Sequence, residues 1–239
     1  MTLRLGALAG VLGVVVQFVA SAMHPGSVAP NDSAGAFAEY ASSNIWTAVH
    51  LGQFLGVILV VLMFVALAVS LPRDGFGGVL ALIGGTAAIL VGAVFAVQMA
   101  VDGVALKGVI DTWSAAPPDQ KASAFQVAEA VRDIEKGLSG LFHLLNGTAI
   151  LTLGAAVAST RVFPRWLGWL GVVAGIGFMS GGVSTAHTGF SPESGQLLTP
   201  SLLVGLVFVI GTSVAMLRAS RRRDVVPART ASVGAAVTA

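Results

Sequence analysis

The sequence predicts an all-α, polytopic membrane protein: a transmembrane bundle of six helices with an amphipathic helix on its outer surface. Three observations carry this. Of 239 residues only 10% are charged and 55% are hydrophobic, with a mean hydropathy of +0.87, whereas a water-soluble domain carries about a quarter charged residues. Six apolar stretches approach the roughly 20 residues that a helix needs to cross a hydrocarbon core. The basic residues segregate to one side of those stretches. The absence of cysteine excludes disulfide scaffolds, iron–sulfur clusters and thiolate metal sites, and the hydrophobic content excludes a disordered chain.

The predicted spans are Leu3–Met23, Ile45–Leu71, Gly77–Val101, Leu138–Ser159, Trp166–Ala186 and the shorter Pro200–Leu217. Apart from Arg4 at the start of the first, none contains Asp, Glu, Lys or Arg. Together they form one transmembrane domain, 1–219, followed by a basic tail, 220–239. Arg4, the apolar run and Ala20-Ser21-Ala22 also match a cleavable secretory signal; the run is long enough to span, and retention is expected. Glycines at 77/78, 84/85, 168, 171, 175 and 181/182 suit close helix packing in lipid, where dispersion replaces the missing hydrophobic drive.

Charge sets the direction. Placing the N-terminus, the 72–76 and 160–165 turns and the tail on one side collects Arg4, Arg73, Arg161, Arg165, Arg218, Arg221, Arg222, Arg223 and Arg229 there, against Asp74 and Asp224. The other side holds Lys107, Lys121, Arg132 and Lys136 with the remaining nine acids. The positive-inside rule then puts both termini in the cytoplasm. The pI near 9.5 reflects this anchor beside anionic headgroups and calls for no nucleic-acid partner.

The outer connections are long. Residues 24–44 read as a loop followed by a short helix, Ser33–Ala41. Within 102–137, the third helix extends through Trp113 until Pro117-Pro118 stop it. Phe125, Ala128, Val131, Ile134 and Leu138 then form an apolar stripe at helical spacing, with charges opposite. Arg132 with Glu135 and Lys136 reads as a solvated face. Two units, His50-Leu51-Gly52-Gln53 to Pro72-Arg73 and His143-Leu144-Leu145-Asn146 to Pro164-Arg165, are either a parallel repeat of a helical hairpin or convergent turns.

All four histidines, His24, His50, His143 and His187, fall near the outer ends of spans. Gln53 and Asn146 each follow a histidine by three residues and share its helix face, where an amide can orient an imidazole. Three readings follow: haem b between His50 and His143 with Gln53 and Asn146 in support; a divalent metal held by His24, His187, Asp102 and Glu39; or interfacial histidines with no ligand. Trp46, Trp113, Trp166 and Trp169 read as an aromatic belt. Nucleophile, nucleotide and mid-membrane charge signatures are missing.

Asp102–Lys107, Ala128–Arg132 and the turn Val162-Phe163-Pro164-Arg165-Trp166-Leu167-Gly168-Trp169-Leu170-Gly171 resemble uncharacterised bacterial six-helix membrane proteins of the domain-of-unknown-function kind. That resemblance implies the architecture, with the bacterial cytoplasmic membrane as its location, and transfers no activity. The histidine pair on the second and fourth spans is similar to b561-type cytochromes, which use a second pair on the third and fifth that this chain lacks. The expected function is a non-enzymatic scaffold or accessory subunit touching lipid and another membrane protein or a second copy; the alternative is a haem- or metal-binding redox protein.

Overall fold

The structure is a computed structural model that describes residues 2–29 and 31–237, with side chains described through Arg222. From residue 223 onward the predicted tail lies outside the described side chains. Eight α-helices follow in order: α1 (Thr2–Ala22), α2 (Ser33–Ser42), α3 (Trp46–Ser70), α4 (Gly75–Ala100), α5 (Lys107–Ala115), α6 (Lys121–Thr160), α7 (Arg165–Thr188) and α8 (Pro192–Val237). A π-helical turn, Val101–Leu106, joins α4 to α5 without a break. Six rods are long and apolar enough to cross a membrane: Thr2–Ala22, Trp46–Ser70, Gly75–Ala115, Lys121–Thr160, Arg165–Thr188 and Pro192–Arg222. Large apolar side chains stay exposed along their flanks, among them Leu12, Phe18, Leu82, Ile89 and Leu203. Water would penalise such flanks and lipid does not. The chain is an integral membrane protein.

Two elements differ from the sequence expectation. The sixth span begins at Pro192, where a proline is tolerated because the first turn of a helix uses no backbone N–H at that position. Ser191 caps it, its Oγ accepting from the Ser194 N–H at 3.2 Å. The amphipathic segment is the first part of the 40-residue α6, and its buried face is rotated from the predicted stripe. Ala128, Arg132, Glu135 and Ser139 are buried while Ile134 is exposed. The burial of an arginine and a glutamate in place of an isoleucine is the first sign that this end of the bundle is specialised.

A membrane-embedded core joins α1, α3, α4, α6, α7 and α8 around Met63, Phe64, Leu67, Leu153 and Phe208. A second, smaller core outside it is made by Phe37 and Tyr40 of α2, Trp46, Leu106, Ile110 and Ala128, with Trp113 and Phe125 packed against it. Asp32 caps α2, its Oδ1 accepting from the Gly35 N–H at 3.2 Å. The outer helices thereby roof one end of the bundle.

The α6–α7 pair sets the closest approach. A Cβ on Gly175 would lie 2.5 Å from the Leu151 backbone N, one on Gly168 2.5 Å from the Ala158 N, and one on Gly154 2.7 Å from the Gly168 carbonyl O. Backbone touches backbone, so no side-chain adjustment can make room. We therefore expect Gly175→Val to destabilise the folded protein by about 1–3 kcal/mol or more, read as a lower melting temperature in detergent. Gly108→Ala, where an added Cβ meets nothing within 4 Å, serves as the tolerated control. Equal behaviour of the two variants would refute the close-packing account.

Candidate functional site

The site begins with the π turn. One extra residue in the turn turns the carbonyls of Asp102 and Gly103 toward α3. Trp46 Nε1 donates to the Asp102 O at 2.9 Å, and Thr47 Oγ1 donates to the Gly103 O at 3.0 Å. Gly103 is needed for this contact, because a Cβ there would stand 2.6 Å from the His50 Cβ. The sequence shows the Asp102-Gly103 pair but carries no periodic signal for a π turn. Trp46, predicted as a belt residue, is instead buried at 1% exposure and clamps the turn; Trp166 and Trp169 are exposed as a belt requires.

His50, 1% exposed, fills the space so made. Its Nδ1 lies 2.7 Å from the Trp46 carbonyl O and its Nε2 3.0 Å from Asp102 Oδ2. A carbonyl only accepts, so Nδ1 carries hydrogen and donates. The Nε2–Oδ2 contact then needs one further proton, carried by either atom. The pair as a unit is uncharged, and a neutral, hydrogen-bonded pair is far cheaper to bury than an isolated ion.

Beside Asp102 lies a cavity of about 500 Å³. Its wall takes Gln17 and Ser21 from α1, His24 from the following loop, Tyr40 from α2, Gln53 from α3, Gln98 from α4, Asp102, and Arg132, Glu135 and His143 from α6. Phe95, Phe142 and Phe190 complete it. It sits at the end of the bundle opposite the turns that carry Arg73, Arg161 and Arg165.

Arg132 is tied to two partners. Its Nη1 donates to Glu135 Oε2 at 2.7 Å and its Nη2 to the Tyr40 hydroxyl at 3.3 Å. The Tyr40 and Phe190 rings lie 5.4 and 4.7 Å from its guanidinium carbon. Burial among these groups pushes the Tyr40 phenol above its ordinary value. Glu135 also faces Asp102, carboxyl to carboxyl. Two acceptors cannot bond each other unless a proton or a donor lies between them.

Among the described residues six side-chain oxygens are buried without a hydrogen-bond partner. Three of them, Gln17 Oε1, Gln98 Oε1 and Asp102 Oδ1, belong to residues that line the cavity, and the other three, on Glu129, Thr212 and Ser213, lie away from it. Two histidines add acceptors. His24 Nδ1 donates to the Pro25 O at 2.6 Å, and His143 Nδ1 donates to the Ser139 O at 2.8 Å, so each Nε2 keeps a lone pair. Burial holds the His24 imidazole below its ordinary pKa, with the neighbouring His50, at 5.1 Å between ring centroids, acting in the same direction.

The predicted site residues thus divide. His24, Gln53, Asp102 and His143 line one cavity, and His50 stands behind its wall, bonded to Asp102. Glu39 does not: it pins the loop after α1, accepting from Ser27 Oγ at 2.6 Å and from the Ser27 N–H at 3.0 Å, which lowers its pKa. His187 is exposed at the end of α7, and Asn146 is not on the cavity wall. Among the described residues no three His, Cys, Asp or Glu side chains are grouped to hold a metal ion. Both nitrogens of His50 are engaged, so an iron ligand there would displace Asp102. Gln17, Gln98, Arg132 and Glu135 were not among the predicted site residues. For Arg132 and Glu135 the signal was present: their i, i+3 spacing continues the 125/128 face as well as Val131 does.

Residues 5–214 match the model of a family described as a domain of unknown function (DUF4386). No curated protein matches the chain, and no solved structure does.

Two outcomes follow from the site. Removing one member of the His50–Asp102 pair leaves the other buried and uncompensated, so His50→Leu or Asp102→Leu is expected to cost about 3–5 kcal/mol. The double variant should cost much less than the sum, and additivity in a thermal or SDS titration would refute the coupling. For His24, both folded and unfolded forms are neutral above its unfolded value of 6.5. Below that the unfolded chain takes up the proton first, so stability falls as pH drops from 6.5 through the lower folded value. His24→Gln should flatten the profile, and an unchanged profile would count against it.

Proposed function

The chain belongs to the DUF4386 family, and for it we propose a binding function: an integral membrane protein that captures a small, hydrogen-donating ligand in the chamber at one end of its bundle. The observation that carries this is the set of buried, unpartnered oxygens at Gln17, Gln98 and Asp102 on the wall of a single cavity. An unmet buried acceptor costs about 1–3 kcal/mol, and folding alone gives no reason to gather three of them. A ligand or ordered water that brings donors recovers that cost. In the same reading the chamber faces outward and both termini face the cytoplasm of a bacterial cell, because the arginines lie at the opposite end.

The scaffold role expected from sequence gains no feature of its own beyond the outer helices, since a bilayer accounts for the apolar flanks. The haem reading keeps one supporting observation. His143 stacks on Phe178 with 12° between ring planes and has its Nδ1 tied to a backbone carbonyl, which is how a ligating imidazole is commonly oriented. Against it, a macrocycle would set apolar faces against the chamber's unpaired oxygens.

The absence of native cysteine makes the access test simple. Gln98→Cys and Gln53→Cys are expected to react with a membrane-impermeant thiosulfonate added to intact cells, while Ala88→Cys in the apolar core stays protected. No reaction at residue 98 from either side would sink the chamber reading. Reaction only from the inside would invert the orientation, and a Soret band lost in His143→Ala would replace the reading by haem binding.

A further inference from the structure

We propose that the ligand of this chamber is a primary ammonium group. The inference rests on the binding function above and goes beyond it by naming the ligand's chemistry. The wall carries three unpartnered oxygen acceptors, at Gln17, Gln98 and Asp102, two of them on side chains 7% exposed. A primary ammonium carries three N–H donors and no acceptor. The number and the polarity of the two sets agree.

Charge agrees as well. Asp102 and Glu135 are close enough for one carboxyl to donate to the other, and an ammonium placed there can take the place of that proton as donor to both. The one permanent cation on the wall does not compete: Arg132 is bonded to Glu135 and Tyr40 and covered by two rings. Nor does it offer a free fork to an anion. A divalent metal is disfavoured because the ligating side chains are not grouped. A quaternary ammonium would attract the aromatic walls but leave every oxygen unmet. Phe95 and Phe142, their rings 4.7 Å apart, supply an apolar wall for a short carbon chain.

The flank of the chamber tells where such a group enters. Gln17 Nε2 donates to Ser21 Oγ at 3.3 Å and Gln53 Nε2 to the same oxygen at 3.4 Å, both exposed. They form a polar seam between α1 and α3 within two turns of the helix ends. An ammonium from solution and one borne by an aminophospholipid headgroup share the needed chemistry, and both reach this seam.

The test is calorimetric titration of the full chain in nanodiscs of phosphatidylcholine and phosphatidylglycerol, in amine-free buffer. Ethanolamine and propylammonium are expected to bind, and tetramethylammonium at least about tenfold more weakly, as loss of charge-assisted donors requires. Asp102→Asn should weaken ethanolamine about tenfold, and Gln98→Leu, which leaves the His50 pair untouched, about fivefold. If phosphatidylethanolamine in the disc abolishes the titration, the headgroup is the source; if it has no effect, the free amine is. Tetramethylammonium or a neutral alcohol binding as well as ethanolamine would overturn the ammonium assignment while leaving the chamber a binding site. The assignment also falls if both variants bind ethanolamine like the parent, or if nothing binds although residue 98 is accessible.

Discussion

A single buried contact, His50 Nε2 to Asp102 Oδ2 at 3.0 Å, decides the shape of the roofed end of this bundle. It draws α3 and the α4–α5 rod together where both must leave the membrane. It can exist only because a π turn presents Asp102 sideways and because residue 103 has no side chain to stand in the imidazole's way. With Nδ1 committed to a carbonyl, the pair must hold a proton between its two facing atoms. That proton makes the arrangement neutral, and neutrality lets it sit at 1% and 7% exposure beside an apolar bundle.

The chamber follows from that contact. Once His50 occupies Asp102 Oδ2, the other oxygen is left to the chamber wall that Asp102 shares with Glu135 and Gln98. A roof supplied by α2 and the start of α6 lies over this end of the bundle. Glu39 and Tyr40 hold the roof from one helix, the first tied to the loop after α1 and the second to Arg132. Polarity inside a membrane protein is costly to keep and usually marks function. Here its charged members, Asp102, Arg132 and Glu135, are concentrated at one end, while the core of the bundle is built of glycine, alanine, aliphatic and aromatic side chains with a few buried hydroxyls such as Thr212 and Ser213.

The two halves of the molecule are stabilised differently. In the membrane, α6 and α7 approach through Gly147, Gly154, Gly168 and Gly175, and dispersion between close surfaces does the work. At the roofed end, Phe37, Trp46, Leu106 and Ile110 form a water-excluding core of the ordinary kind. The division suits a binding role, since a rigid bundle can hold the π turn in place while the smaller cap carries the residues that cover the chamber.

Six spans, their rough limits, the glycine seams and the segregation of arginine were legible in the sequence, because each depends on composition over a window or on a short periodicity. So was the choice of His24, His50, Asp102 and His143 as residues near one end. What pairs with what was not. Asp102 and His50 are 52 positions apart, and Arg132 reaches Tyr40 across 92. The rotation of α6 about its axis, which buries Arg132 and Glu135 and exposes Ile134, depends on what stands opposite, and hydrophobic spacing alone fits either face. The π turn is set by partners waiting on α3. Local chemistry thus determined that this chain enters a bilayer and where it crosses; only the packing of distant helices decided that its scattered polar side chains share one cavity, because proton sharing and burial are properties of neighbours in space.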